Sequence, residues 1–322
     1  MNSSLQNRCK LCAATDIIAL YQSARHHFTV GRCPHCGFLF VLETVTEEEL
    51  REMYSQEDEF REFAEAMNNS RVRDRHQRML DQVQLLLASN GSVHPALLDV
   101  GAGSGAFLQA ARARGFRVEG NEFSSAAIHL AREKYGIDLS PASIEQDPRS
   151  DCFDVITLWG IIEHAADPAA LLRGALRLLK PGGLLFVYTP VWCAYDQVGL
   201  FLAQWNNGRW SRLLDRRITP AHLQLFSQPV LERTVQQMGF EIVSAERVCE
   251  YNLPLAAYLE SLGVPRRLQK GLARVLEAFI ERGVFFRNNI RLFCRKKPLP
   301  QCSPRPDAHA VELAAVAHRA GS

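Results

Sequence analysis

The amino-acid sequence predicts a doubly wound α/β fold, in which helices cover both faces of a mostly parallel β-sheet. Three observations lead to this prediction. Strand-like and helix-like segments alternate from residue 96 to about residue 248, a glycine-rich turn follows the first strand, and an acidic residue follows the second. Such alternation is typical of parallel sheets, because two parallel strands need a crossover connection, which is usually a helix.

The predicted elements follow one another with few interruptions. Ala96–Val100, in which Asp99 is the one polar residue, predicts a buried strand. Pro168 stands at the first turn of one predicted helix, and Ser227 and Gly239 begin and end another. Residues 180–183, Lys-Pro-Gly-Gly, predict a turn. Strands are predicted at 96–100, 116–121, 153–158, 184–188, from 240 onwards and 289–296, and helices at 107–114, 124–135, 168–179 and 229–238.

The distribution of motifs divides the chain into four regions. Paired cysteines occupy the first region, and Thr46 and Glu49 open a helical second region with the spacing of a capping box. The α/β region is interrupted by two insertions, and a proline- and alanine-rich tail is predicted to be disordered. The regions are predicted at 1–45, 46–95, 96–297 and 298–322, with the insertions at 191–219 and 250–283.

Composition narrows the classes of function. The 322 residues include 37 basic and 35 acidic side chains, which gives a net charge of +2. A protein that coats nucleic acid is usually strongly basic, so we do not expect nucleic acid as a partner. No apolar stretch approaches the length of a membrane span, and the N-terminus does not resemble a secretion signal. We therefore expect a cytoplasmic protein without a membrane partner. The cysteines outside the paired ones are scattered, as is common in a reducing compartment.

The glycine-rich turn predicts a binding site for a nucleotide-like ligand. It runs Gly101-Ala102-Gly103-Ser104-Gly105, where glycines allow close approach to the backbone and the following helix offers free N–H groups. Glu122 follows the second strand, where a carboxylate can accept hydrogen bonds from ribose hydroxyls. A surface glutamate is the alternative for Glu122. A nicotinamide dehydrogenase is the alternative for the turn, but its fingerprint has a different glycine spacing.

Four cysteines predict a zinc site. Cys9 and Cys12 form one Cys-x-x-Cys pair and Cys33 and Cys36 a second, with 20 residues between the pairs. Four thiolates at this spacing can surround Zn²⁺ tetrahedrally, which gives a structural site with no open coordination position. A redox motif and two incidental pairs are the alternatives.

Several motifs, in this order, are similar to those of the class I S-adenosylmethionine-dependent methyltransferases, and the cysteine pairs resemble those of a subgroup with an N-terminal zinc ribbon. The resemblance implies a Rossmann-like, seven-stranded sheet whose last strand is antiparallel. We further expect the helical insertions to cover the site as a lid. The motifs are Asp99-Val100-Gly101-Ala102-Gly103-Ser104-Gly105, Glu122, Phe153-Asp154-Val155-Ile156, Glu163-His164-Ala165-Ala166-Asp167-Pro168, Leu179-Lys180-Pro181-Gly182-Gly183 and His222-Leu223-Gln224-Leu225-Phe226-Ser227.

The same resemblance implies the cofactor, S-adenosyl-L-methionine, and the residues that hold it. Asp99 and the glycine turn would hold its methionine part and Glu122 its ribose, while Ser143 and Ile144 would line the adenine. The full set of implied cofactor-binding residues is Asp99, Gly101, Ala102, Gly103, Gly105, Glu122, Phe123, Ser143, Ile144 and Trp159.

Two histidines are candidates for a catalytic base. His164 follows the fourth strand at the carboxyl edge of the predicted sheet, and His222 precedes a helix cap. An imidazole titrates near neutral pH and can remove a proton from an acceptor. The alternative for each is a structural role, in which the ring only connects two loops by hydrogen bonds.

The methyl acceptor is expected to be a small molecule such as a sugar, a polyketide or a quinone-like metabolite, with O-methylation favoured. A second hypothesis is modification of RNA or protein, with the zinc ribbon as the adaptor that binds the substrate. Four arginines on one predicted helix support it, but they could also form a solvated helix face. A third is a non-catalytic cofactor-binding protein. A homodimer is possible in each case. The arginines of the second hypothesis are Arg71, Arg73, Arg75 and Arg78.

The first insertion is expected to cover the acceptor. Its aromatic side chains would pack on an apolar or ring-shaped acceptor, and an arginine would meet a carboxylate or phosphate. The alternative is that the aromatics bury the insertion against the sheet or against a second subunit. The aromatics are Trp192, Tyr195, Phe201, Trp205 and Trp210, and the arginines are Arg209, Arg212, Arg216 and Arg217.

Overall fold

A computed structural model provides the coordinates of the chain. Several predicted features lie outside the described residues, namely most of the helical segment after Thr46, Trp210, Arg209, Arg216, the side chain of Arg212 and the tail from residue 299. The structure describes residues 6–23, 28–46, 49, 64, 67, 69–88, 93–205, 212–215, 217–218, 222–250, 255–261, 263–282 and 287–298.

The described strands and helices are as follows in chain order. The strands are β1 (Ile18–Gln22), β2 (Thr29–Arg32), β3 (Leu39–Val41), β4 (Ala96–Val100), β5 (Arg117–Asn121), β6 (Phe153–Trp159), β7 (Leu179–Pro190), β8 (Gln224–Leu225), β9 (Phe240–Val248) and β10 (Asn289–Lys296). The helices are α1 (Ser70–Leu87), α2 (Ala106–Ala113), α3 (Ser125–Tyr135), α4 (Pro168–Leu178), α5 (Ala194–Trp205), α6 (Arg212–Asp215), α7 (Gln228–Gln237), α8 (Leu255–Ser261) and α9 (Arg266–Glu281).

The main sheet confirms the predicted α/β architecture. Its strand order is β5-β4-β6-β7-β10-β9, and β10 runs antiparallel to both of its neighbours, as predicted for the last strand. The sheet has six strands among the described residues, so the expected count of seven is not confirmed. Beyond β5 the chain makes only a one-residue bridge from Ser140 to Asn121. Pro141 follows, and a proline has no N–H with which to extend the pairing.

Apolar side chains cover both faces of this sheet. Leu98 and Ile156 pack in one cluster with residues of α4 and α7, whereas the neighbouring Leu97 and Val155 pack in another with residues of α1 and α2. Successive side chains of a strand point to opposite faces, so a strand covered on both faces is buried along its length. This explains why all five residues of β4 are buried.

Local signals set the ends of the helices largely as predicted. The Asp167 carboxylate accepts the backbone N–H groups of Ala169 and Ala170, both at 2.9 Å, and Pro168 opens α4. Gly136 ends α3 in the left-handed region at φ 60°. Residues 180–183 loop out of the β6–β7 pairing, since Leu179 pairs with Phe153 and the next pair of β7 begins at Leu184.

The N-terminal module, residues 6–23 and 28–42, is built into the rest of the protein. Its antiparallel sheet has the order β1-β2-β3-β8, so the fourth strand comes from the far side of the first insertion. A separate core joins this sheet to α5 and α6 through residues such as Tyr21, Leu39, Ala203 and Leu214. The module and the first insertion therefore form one packed unit.

Two further helices, α8 and α9, lie in the second insertion, where amphipathic helices were predicted. In the described part of the chain, none of the helices combines the length and the hydropathy that a membrane crossing requires.

Candidate active site

One large cavity lies at the carboxyl ends of the parallel strands. Its volume is about 1500 Å³. The turn after β4, Glu122 after β5, Gly160 after β6 and Pro190 at the end of β7 all line it, together with side chains of α1, α8 and α9. Ligands of open α/β sheets bind at this edge. The cavity therefore lies where the sequence motifs predict a site.

The glycine turn leaves open space at the cavity. Gly101, Gly103 and Gly105 all have positive φ angles, of 65°, 53° and 74°. A Cβ on Gly101 would overlap the side chain of Ile161, whereas a Cβ on Gly103 would meet nothing within 4 Å. Glycine at Gly103 thus keeps the left-handed turn unstrained and leaves its backbone accessible to a ligand.

Glu122 connects the turn to the start of α3. Its Oε2 accepts the Gly103 N–H at 3.0 Å, and its Oε1 accepts the N–H groups of Phe123 at 2.8 Å and Ser124 at 3.0 Å. The residue is 9% exposed and lines the cavity. An ionised carboxylate offers about four acceptor positions, so lone-pair capacity remains for a ligand hydroxyl.

Asp99 lies beneath the same turn and is 2% exposed. The Thr157 hydroxyl donates to its Oδ1 at 2.6 Å. Burial raises the pKa of the Asp99 carboxyl to about 7, with a smaller contribution from the charge of Glu122, while the Thr157 hydrogen bond opposes the rise. The carboxyl group can therefore change its charge near neutral pH when a ligand binds.

The other implied cofactor residues are not all at the cavity. Phe123, 37% exposed, and Ser143 both line it. Ile144 does not: it is 3% exposed and packs in the core, where a Cβ on Gly174 would approach it closely. Ile144 was expected to contact the adenine, but its side chain packs in the core against α4 and does not line the cavity.

Trp159 ends β6 within a group of rings at the cavity wall. Its ring centroid lies 5.0 Å from that of His76 and 5.4 Å from that of Phe107. The Trp159 Nε1 is buried and has no acceptor among the described residues. Burial lowers the pKa of His76 to about 4, so this ring is neutral at pH 7. Sequence reasoning missed His76, since only the packing of α1 over the turn brings it there.

The two candidate bases lie side by side. The ring centroids of His164 and His222 are 4.6 Å apart at an interplanar angle of 73°. Both line the cavity, together with Glu163, which is 2% exposed and accepts a hydrogen bond from the Thr189 hydroxyl at 2.9 Å. Burial raises the pKa of Glu163. One ligand atom from each of Glu163, His164 and His222 lies within 4.8 Å of the others, a spacing also suitable for a metal ion.

The first insertion orients His222. The His222 Nδ1 lies 2.9 Å from the Arg217 carbonyl oxygen, which can only accept, so Nδ1 carries the proton and Nε2 is left as the acceptor. Burial lowers the pKa of His222, with a contribution from the neighbouring His164. The ring is therefore neutral near pH 7 and able to take up a proton.

Arg217 itself is held by protein groups. It donates to the Asp196 carboxylate at 2.9 Å and to the Val191 carbonyl at 2.8 Å, and the two charged side chains are 15% and 0% exposed. Although Arg217 lines the cavity, this buried pair supports a scaffolding role for it. Of the aromatic residues, Tyr195 lines the cavity, while Phe201 and Trp205 are 65% and 70% exposed.

A buried ionic cluster closes the cavity beside Tyr188. Arg75 of α1 is 5% exposed, lies over the Tyr188 ring at 4.9 Å and pairs with Glu250 at 3.0 Å; Arg291 pairs with the same carboxylate. The expectation that Arg75 lies on a solvated face of its helix is therefore wrong. Arg71 is also paired, with Glu277 at 3.1 Å.

The four paired cysteines come together as predicted. The Sγ atoms of Cys9 and Cys36 are 3.5 Å apart, as are those of Cys12 and Cys33, and all four lie within 4.8 Å of one another. A tetrahedron of thiolates at about 2.3 Å from zinc has edges of about 3.8 Å. The donor set and its spacing fit a closed Zn²⁺ site, and Gly37, at φ 80°, makes the turn after the second pair.

Comparison with known proteins identifies the family. The family described as "Methyltransferase domain" matches residues 71–245, more than half of the chain, and the chain belongs to this family. Ubiquinone biosynthesis O-methyltransferase of Caulobacter vibrioides is 39% identical over 100 residues, which cover 29% of this chain and 40% of that protein. The enzyme of the same name from Pseudomonas paraeruginosa is 34% identical over 106 residues, 31% of this chain and 46% of that protein. The chain thus spans less than half the length of these relatives.

A solved structure supports the fold. A complex between the Haloferax volcanii Trm112 methyltransferase activator and a methyltransferase includes a chain that matches with a TM-score of 0.50 at 19% identity, covering 76% of this chain and 98% of that one. At this identity the match concerns the fold alone.

Proposed function

We propose that the protein transfers a methyl group from S-adenosylmethionine to a hydroxyl group of a small-molecule acceptor. The observation that carries the proposal is the single cavity of about 1500 Å³ that connects the glycine turn and Glu122 with the His164–His222 pair. It offers a nucleoside-binding end, a candidate base and room for an acceptor between them. Membership of the methyltransferase family supports the same activity.

The cofactor end fits the methionine and ribose parts of S-adenosylmethionine. The Gly103 backbone faces open space, and Glu122 keeps lone pairs for ribose hydroxyls. Asp99 would meet the ammonium group of the methionine part, where a positive charge favours ionisation of its buried carboxyl. Phe123 and Ser143 would line the adenine. When bound, S-adenosylmethionine supplies an electrophilic methyl group.

The residues of the chain position the acceptor and remove its proton. His222 Nε2 would accept the hydroxyl proton, because the Arg217 carbonyl fixes the tautomer that leaves this nitrogen free. His164 would contact the acceptor from the adjoining loop, and the buried Glu163 would stabilise that loop through Thr189. Apolar side chains of α8 and α9, such as Leu255 and Ile280, would exclude water.

A hydroxyl acceptor is favoured over an amine or a carbon acceptor by the relatives that are named O-methyltransferases. The cavity wall near the histidines is mixed: Tyr195, Tyr258 and Leu259 offer ring and alkyl surfaces. A ring-bearing, quinone-like hydroxyl compound fits this surface better than an RNA or protein chain does. Arg75 is buried and paired, and the exposed Arg71 is paired with Glu277, which removes part of the support for RNA.

Two measurements test the proposed activity. Calorimetry with S-adenosylhomocysteine measures cofactor binding, and radiolabelled S-adenosylmethionine with a panel of a catechol, a hydroxyquinone, a hexose and a bulk RNA measures transfer. We expect micromolar binding and transfer to a hydroxyl compound. Binding without transfer to any member of the panel would favour a non-catalytic cofactor-binding protein, and transfer to RNA alone would favour the macromolecular alternative.

A metal-assisted variant of the same reaction has a specific observation in its favour, the close ligand atoms of Glu163, His164 and His222. A cation there would lower the pKa of the acceptor hydroxyl instead of leaving deprotonation to His222. The raised pKa of Glu163 weakens it as an anionic ligand, so we favour the base. Loss of transfer after brief chelation, restored by Mg²⁺ but not by Zn²⁺, would favour the metal.

We also propose that the N-terminal module is a zinc ribbon held by Cys9, Cys12, Cys33 and Cys36. The thiol spacing supports a closed, structural site with no position for an acceptor. The role of the metal would be to fold the module, since metal binding contributes directly to the folding free energy of small modules.

A further inference from the structure

We propose that Gln224 is a positioning residue that fixes the loop carrying His164 relative to His222, and that it does so from a strand shared with the N-terminal module. This inference rests on the proposed function, because it concerns the histidine pair to which that function assigns proton removal. Gln224 lines no part of the cavity itself and is 0% exposed.

The Gln224 side chain holds both sides of the Glu163-His164 dipeptide. Its Nε2 donates to the Ile162 carbonyl at 2.6 Å and to the Ala165 carbonyl at 2.8 Å. The backbone adds two further bonds, since the N–H groups of Leu223 at 2.8 Å and Gln224 at 3.2 Å both point to the Glu163 carbonyl. Three backbone carbonyls of the loop, those of Ile162, Glu163 and Ala165, are thus held on the two sides of His164.

The geometry leaves only one orientation for the Gln224 amide. Both of its partners are carbonyl oxygens, which accept but cannot donate, so the nitrogen must face them. The Oε1 is then buried without a donor in the described part of the chain. A buried acceptor without a donor is unfavourable, and an apolar side chain of this length would avoid it. The two donated bonds are therefore what a glutamine contributes at this position.

The other edge of β8 belongs to the N-terminal module. Gln224 pairs with Phe40 and Leu225 with Leu39, and the Val41 N–H donates to the Leu223 carbonyl at 2.9 Å. His222 directly precedes this paired segment. His222 is positioned by the strand that it precedes, and the His164 loop is held by Gln224 of the same strand. The distance between the two rings therefore depends on β8.

A small displacement at this point has a large expected effect on catalysis. A base works only within about 2.6–3.2 Å of the proton that it removes. A misplacement of about 1 Å can lower a rate about a hundredfold. Loss of the Gln224 side-chain bonds should therefore lower kcat about tenfold to a hundredfold, while the binding of S-adenosylhomocysteine, which involves the opposite end of the cavity, changes less than about twofold.

The test compares Gln224→Met with Gln228→Met. Methionine keeps the length of the side chain and removes the amide. Gln228, at the start of α7, is partly exposed and donates to Glu232 at 2.7 Å, so it controls for the same substitution four residues away. Gln224→Asn serves as a second variant if the methionine variant does not fold, because it keeps an amide that is one methylene too short to reach both carbonyls.

Two readouts are needed. The first is an NMR titration of the imidazole nitrogens of His164 and His222, which requires no acceptor; we expect the pKa of His222 to rise toward its ordinary value in Gln224→Met as the loop loosens, and to stay unchanged in Gln228→Met. The second is the kcat for the best acceptor of the panel. Absence of transfer by the wild-type protein would contradict the proposed function and leave the titration as the test of Gln224.

Unchanged titration curves in Gln224→Met would overturn the proposal. It would also be overturned if kcat stayed within about twofold of wild type, or if kcat and S-adenosylhomocysteine affinity fell together, since a uniform loss indicates general destabilisation rather than loss of position.

Discussion

Replacement of Asp99 by asparagine should make the protein more stable and a weaker cofactor binder, and both effects should grow with pH. The carboxyl is 2% exposed and its pKa is raised to about 7, against about 3.9 in an unfolded chain. Below about pH 3 the group is protonated in both states and does not change the stability. As the pH rises toward 7 the unfolded state ionises first, so the stability of the folded protein falls, and above pH 7 the loss is complete.

The size of the effect follows from the displacement of the pKa. A shift of about 3 units corresponds to about 4 kcal/mol of lost stability at pH 8, of which about 1.5 kcal/mol is already lost at pH 5. Asparagine has the same shape, can still accept the Thr157 hydroxyl and does not ionise. Its stability relative to wild type should therefore rise by about 2.5 kcal/mol between pH 5 and pH 8.

Urea denaturation at pH 5, 6, 7 and 8 measures this difference, and calorimetry with S-adenosylhomocysteine measures the opposite effect on binding. Asp81→Asn removes the same charge from a side chain that is 62% exposed and is the matched control. If Asp99→Asn and wild type show parallel stability curves over this range, the carboxyl does not titrate as the buried environment requires, and the reasoning is refuted.

Three further predictions concern the remaining parts of the site. Glu122→Ala should weaken S-adenosylhomocysteine binding by roughly 1.5–3 kcal/mol, the range for hydrogen bonds to a charged group, and unchanged affinity by calorimetry would remove Glu122 from the site. His222→Asn should abolish the rise of kcat with pH, which in wild type should follow a pKa below 6.5, since burial lowers the pKa of His222 and only the neutral ring accepts a proton; an unaltered pH profile would argue against the base. One zinc per chain should copurify without added metal, and Cys36→Ser should lose it and unfold the N-terminal module first, whereas a metal-free, fully folded and active wild-type protein would contradict the zinc ribbon.

Much of the fold could be predicted because its signals are local. The mostly apolar sequence of β4, the proline at the start of α4 and the glycine after α7 are each local signals, and the structure places these elements where they were expected. The glycine turn was equally readable, since Gly101 and Gly103 need positive φ angles that other residues rarely adopt. The pairing beyond β5 has a local limit too, since Pro141 follows the one-residue bridge at Ser140.

The rest of the site depends on contacts between distant parts of the chain. Arg75 stands between Val72 and Met79 on the buried stripe of α1, although a charged side chain is expected in solvent. Its partners Glu250 and Arg291 come from elements far along the sequence. Ile144 lies one residue from a cavity-lining serine, yet its side chain points into the core. His76 becomes part of the site because α1 packs over the glycine turn. No periodicity or spacing within one segment contains this information.

The first insertion shows why aromatic content alone does not define a lid. Leu214 and Ile218 of this insertion, and Ala203 of α5, are almost fully buried against the sheet of the N-terminal module. Tyr21 of that module donates a hydrogen bond to Asp215. Tyr195 and Arg217 of the insertion line the cavity. The Arg217 carbonyl also orients His222, while the Arg217 guanidinium is engaged with Asp196. In the sequence the cysteine pairs, the first insertion and the candidate histidines are separate features, whereas in the structure β8 pairs with the N-terminal module and closely follows His222. Substitution of a cysteine should therefore alter the positions of His164 and His222, because β3 of the N-terminal module pairs with β8. We expect this effect although the thiol cluster does not line the cavity.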